Sequence, residues 1–182
     1  MSLTARELWG VMHGMVLGGL FLLAFTGGMA LLYDMQQRWL TREGLKHETG
    51  LIRLTTAIMA ISSWLTVISG TYLVYPWYRA RPPEGADLRN FPRAFLKADP
   101  DLSAWHSFGM EWKEHVTWFT PLLTTAVAFI AFRYGRQLAT HSQLRMIMLR
   151  MIMMMLLTLS FLIAAIAGGL FGTLITKIAP IL

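Results

Sequence analysis

Residues 8–33 read LWGVMHGMVLGGLFLLAFTGGMALLY, without one Asp, Glu, Lys or Arg. A helix needs about 20 predominantly apolar residues to cross ~30 Å of hydrocarbon. This stretch meets that length, so it reads as a membrane-spanning helix. Leu51–Trp77, His115–Phe132 and Met148–Ile175 reach or approach the same length. Four apolar stretches joined by three polar connections predict an all-α membrane protein of four transmembrane helices. The expected helices cover 8–42, 46–77, 111–139 and 142–176 of a single integral membrane domain, 1–182, with a cap at 78–110.

Composition agrees. Hydrophobic residues make up 55% of the 182 and charged residues only 14%, whereas a soluble domain carries about 25% charged residues. The core is then lipid and inter-helix contact. Cysteine is absent, which excludes disulfides, cysteine-ligated iron–sulfur clusters and a covalent C-x-x-C-H haem. Any cofactor must be held by His, Met, carboxylate or backbone. The net charge of +6 does not point to nucleic acid. The basic residues flank apolar spans, where Lys and Arg set orientation and meet anionic headgroups. The first apolar run outlasts the ~7–15-residue core of a signal peptide and lacks a clean small-x-small cleavage site, so it reads as a retained helix.

Orientation follows from the short loops. The connection 34–53 carries Arg38, Arg42, Lys46 and Arg53 against Asp34, Glu43 and Glu48. The connection 133–150 carries Arg133, Arg136, Arg145 and Arg150 with no acid. Both are basic and short, so the positive-inside rule assigns them to the cytoplasm. The connection 78–114 has six basic and six acidic residues and falls on the outer side with both termini. Short loops make neighbouring helices antiparallel, giving two hairpins, 1–2 and 3–4, in a bundle. The membrane this describes most simply is a bacterial plasma (inner) membrane, with N and C termini periplasmic.

The outer connection is the longest non-membrane segment. Arg81-Pro82-Pro83-Glu84-Gly85 predicts a turn, and Phe91-Pro92 and Asp99-Pro100 bracket a short helix at Arg93–Ala98. Leu102–Trp118 continues as a helical pattern into helix 3. Trp77, Tyr78, Phe91, Phe95, Trp105, Phe108, Trp112 and Trp118 suit a segment lying at the membrane surface. An ordered, aromatic-rich cap is expected.

Histidines carry the candidate chemistry. His13 lies about two turns into helix 1, beside Gly10, Gly14 and Gly18. Glycines four apart leave a smooth groove on one helix face, open to a neighbouring helix or a flat macrocycle. His115 opens helix 3, which runs parallel to helix 1 and starts on the same side. Two imidazoles facing each other at one depth can ligate a b-type haem iron axially. His106, with Met110 four residues on, offers an alternative to His115. The plainer reading has His13 hydrogen-bonded in a packing seam, His115 at the interface between Trp112 and Trp118, and His106 solvated. His47 and His141 read as exposed turn residues.

Other signals are weak or missing. The run Met151-Ile152-Met153-Met154-Met155 resembles a copper site, but adjacent residues point to different helix faces, so these are lipid-facing or packing side chains. There is no P-loop, G-x-S-x-G, H-E-x-x-H or G-x-G-x-x-G. Past Glu7 the spans hold no carboxylate of the kind ion-coupled transporters use.

The four-helix layout with histidines near helix ends resembles, in shape and over the whole chain, four-helix cytochrome b-type membrane subunits of respiratory oxidoreductases. That resemblance implies an electron-transfer subunit with one b-type haem near the outer face and a link to quinone. It also implies partners among other membrane subunits and an outer-side redox protein, not an enzyme acting alone. Quinol would dock near 105–118, with Glu111, Lys113 or Glu114 as polar partners. The other readings are a cofactor-free structural subunit of a larger membrane complex and a quinone- or lipid-binding module.

Overall fold

The computed structural model describes residues 3–34, 42–140 and 143–179. Among these there is no strand. The helices are α1 (Ala5–Asp34), α2 (Lys46–Tyr78), α3 (Pro92–Ala98), α4 (Trp105–Gly135) and α5 (Ile147–Ile178), and all but α3 are long and apolar enough to cross a membrane. The expected extension of helix 1 toward 42 falls on 35–41, and His141 and Ser142 at the second inner turn lie outside the described residues as well.

Local chemistry explains the ends. Thr4 and Glu7 form a capping box at the start of α1: Thr4 Oγ1 accepts the Glu7 N–H at 3.2 Å, and Glu7 Oε2 accepts the Thr4 N–H at 2.7 Å. Two otherwise orphaned donors are thereby satisfied. After α2, Gly85 takes a positive φ of 76°, a conformation glycine adopts without a Cβ penalty. Asp87 accepts from the Arg89 backbone and side chain, and the guanidinium holds its carboxyl below the usual carboxylate range. The short helix expected at Arg93–Ala98 is present as α3, with Pro92 in its first turn, where a missing N–H costs nothing. The helical backbone of α4 starts at Trp105, earlier than 111, after a turn in which Asp99 accepts from the N–H groups of Asp101 and Ser103. Within α4 the helix lapses at Thr117 and Trp118. Pro121 has no N–H for the Thr117 carbonyl and its ring crowds that oxygen.

Contacts divide the chain into two compact units, 1–17 with 65–118 and 163–182, and 18–64 with 119–162. The first has a buried core of Tyr78, Leu96, Phe171, Ile175 and Ala179, flanked by Phe95, Trp105 and Trp112. Phe171 seats on Gly109, where a Cβ would come within 3.0 Å of its ring. The second buries Leu32, Ile52, Met59, Val127, Met153 and Leu157. Phe25 and Phe161 stack at 4.5 Å, Ser63 and Thr124 share a hydrogen bond of 2.9 Å, and Trp64 donates to Thr125 at 3.0 Å. In the methionine run Met153 is buried while Met151 and Met155 are exposed. Exposed Leu, Ile and Phe side chains on the long helices give the apolar outer surface that lipid requires.

Candidate functional site

The first unit holds an unusual concentration of wide helical turns. Each long apolar helix contains one π-helical segment: Met12–Leu17, Gly70–Val74, Trp105–Met110 and Ala165–Gly172. All four fall within this unit. Such turns are rare and recur at functional sites, because an inserted residue re-aims side chains and loosens the backbone ladder. Glycine, which resists the regular helix, lies in every one: Gly14, Gly70, Gly109, and the trio Gly168, Gly169 and Gly172. The sequence shows these glycines but not the widened turns.

His13 is set on the first of these turns, half-buried, with Nδ1 3.0 Å from Ser69 Oγ. Ser69 Oγ also lies 3.1 Å from the Thr66 carbonyl. Nδ1 of His13 donates to the Ser69 oxygen or accepts from it according to the ring's tautomer. The ring lies edge-on against α2 at Gly70, where a Cβ would come within 2.7 Å of Cε1. Ser69 and Gly70 are thus site residues that the sequence reading missed. Their only signal was a small polar residue and a glycine adjoining late in α2.

Three further polar side chains lie in the same unit. Lys113 of α4 reaches Gly172 of α5, where a methyl group would come within 3.1 Å of Nζ, and its charge is within electrostatic range of His13. Tyr75 of α2 donates to Glu114 of α4. Imidazole, hydroxyl, phenol, carboxylate and ammonium side chains therefore share one end of apolar helices, where polar groups are costly and tend to be functional.

The other histidines stand apart. His106 is buried, 6% exposed, with Nδ1 2.8 Å from the Tyr78 hydroxyl and the two rings 5.9 Å apart. It is not the solvated loop residue that its position between turn signals implied. His115 is 74% exposed, and its Nδ1–H donates to the Glu111 carbonyl of its own helix at 2.8 Å. His47 is exposed. Among the described residues no three His, Asp or Glu side chains are grouped to hold a metal ion. A methyl group at Gly10, Gly14 or Gly18 would meet nothing within 4 Å among the described residues, so their groove is open there.

For a haem, the donor chemistry of His13 and His115 fits. Ligating histidines hold the second ring nitrogen in a hydrogen bond, and Nδ1 of each ring is so engaged, while Cε1 and Nε2 of His13 face Gly70. The surroundings of the two rings differ: one is pressed on α2 and the other is outward. Comparison with protein-family models, with curated proteins and with solved structures finds no match.

Proposed function

We propose that this chain is a membrane subunit of a quinone-linked electron-transfer complex. Its four spans form two antiparallel hairpins in a bacterial inner membrane. The termini and the aromatic 78–110 cap face outward. The observation that carries this reading is the polar set His13–Ser69, Tyr75–Glu114 and Lys113 at one end of otherwise apolar helices. A quinol yields two protons and two electrons on oxidation. Groups that exchange protons within hydrogen-bond reach accelerate such a step, and here Glu114 and His13 are those groups. Tyr75 and Lys113 supply donors for the quinone oxygens. The electrons pass to a redox partner on the outer side. His13 and His115, with His106 as the alternative, would hold a b-type haem, which would supply one-electron storage between the two.

A second reading has a specific observation behind it. The close seating of His13 on Gly70 serves equally to clamp α1 to α2 in a cofactor-free structural subunit. A reduced-minus-oxidised visible spectrum of protein from haem-replete cells separates the two, with His13→Ala and His115→Ala alongside. The haem form predicts a b-type α band lost in both variants. Absence of the band removes haem. Quinone extraction from the purified protein then decides between a quinone site and the structural reading, and Glu114→Gln is expected to lower the bound quinone.

A further inference from the structure

We propose that the first unit carries a binding site for the phosphate of an anionic phospholipid, formed by Arg79, Arg81, Arg93 and Lys97. These four cations line one concavity of about 190 Å³, together with Ala80, Pro82 and Ala94. No carboxylate lines it. Cations gathered without an acid repel one another, and the arrangement is favourable when an anion sits among them. A second observation points the same way. The Nε of Arg93 is buried and has no hydrogen-bond partner, although a buried guanidinium donor left unpaired is costly. A phosphate in the concavity that Arg93 lines would give this guanidinium an acceptor, and arginine favours phosphate by charge and by its forked donors.

The location identifies the source of the phosphate. Arg79 directly follows Tyr78, the last residue of the apolar helix α2, and its guanidinium stacks 5.2 Å over the Tyr75 ring. The concavity thus begins where an apolar helix ends, which is headgroup level. Its volume admits a phosphate but not acyl chains. Those would run down the outside of α2, where Tyr72 is 67% exposed. Basic pockets at helix ends hold anionic headgroups in this manner. The site adjoins the His13 cluster through the Arg79–Tyr75 contact but does not depend on any electron-transfer role.

The test is lipid titration of the full chain in a neutral detergent, read by its thermal unfolding midpoint. Phosphatidylglycerol is expected to raise the midpoint saturably, and phosphatidylcholine is not. Half-saturation should weaken about fivefold for each charge removed, in Arg93→Gln, Lys97→Gln and Arg79→Gln. Arg89→Gln, which removes a cation paired with Asp87 outside the concavity, should leave it unchanged. Arg79 and Lys97 are exposed, so their variants keep the test valid if Arg93→Gln fails to fold. Equal response to both lipids, or unchanged half-saturation in the Arg79 and Lys97 variants, overturns the proposal. A full response to inorganic phosphate alone also overturns it, by making this a free-anion site.

Discussion

Ser69 Oγ lies 3.0 Å from Nδ1 of His13 and 3.1 Å from the Thr66 carbonyl. The hydrogen bond to His13 ties α1 to α2. Ser69→Ala removes the partner of Nδ1 and leaves that ring nitrogen unpaired in an apolar setting. The expected loss is about 1–3 kcal/mol of unfolding free energy. Nitrogen NMR shifts of the His13 ring should change in Ser69→Ala, and unchanged shifts would show that the Ser69 contact is not made.

The glycines separate into two classes with opposite outcomes. At Gly70 an added methyl would lie 2.7 Å from His13 Cε1, so Gly70→Ala must displace the ring or bend α2. Overpacking of this kind costs about 1–3 kcal/mol. Gly14 has open space at the same distance, and Gly14→Ala should be neutral or stabilise by about 0.5–1 kcal/mol through better helix propensity. Thermal unfolding of the isolated chain distinguishes them. Equal destabilisation by both would mean that the Gly10–Gly18 groove is filled by the protein itself.

Much of the fold was legible because membrane spanning imposes a length and a composition that appear directly in the string. Met148–Ile175 needed no partner to be recognised as a span, and the two prolines at 92 and 100 bracketed α3 nearly to the residue. The site was less legible. Whether His115 faces inward depends on where α4 begins and how its turns widen, and one π turn changes the facing of every later residue. His106 was misjudged for a related reason. Its burial comes from Tyr78, remote in sequence, closing over it at 2.8 Å. Chain spacing holds no record of such a contact. The polar partners Ser69 and Tyr75 looked like ordinary helix residues until α1 and α4 were laid beside them.

The bond from Tyr75 to Glu114 joins α2 to α4 inside one unit. Tyr75→Phe leaves the carboxylate without its donor, and Glu114→Gln keeps the shape but removes the charge. Hydrogen bonds to charged groups contribute about 1.5–3 kcal/mol. A double-mutant cycle on thermal or denaturant unfolding should therefore give a coupling of about that size between the two positions. A coupling near zero would show that the two side chains are separately solvated, and it would remove Glu114 as a positioned proton acceptor.

Arg53 offers the corresponding test in the second unit. Its Nε–H donates to the Ala131 carbonyl at 3.2 Å and its Nη2 to the Phe132 carbonyl at 3.3 Å, across a helix face kept bare by Gly135. A Cβ at 135 would stand 2.7 Å from Thr49 Cγ2 and 3.1 Å from both bonded nitrogens of Arg53. Gly135→Ala should thus push the guanidinium off the two carbonyls toward solvent. The expected penalty is about 1–3 kcal/mol. Arg53→Met, which removes the guanidinium and keeps much of the stem, should recover part of the loss in the Gly135→Ala background, since the added methyl then no longer meets the two nitrogens. Denaturant unfolding of the four proteins measures this directly. Purely additive effects of the two substitutions would show that Gly135 is bare for some neighbour other than Arg53.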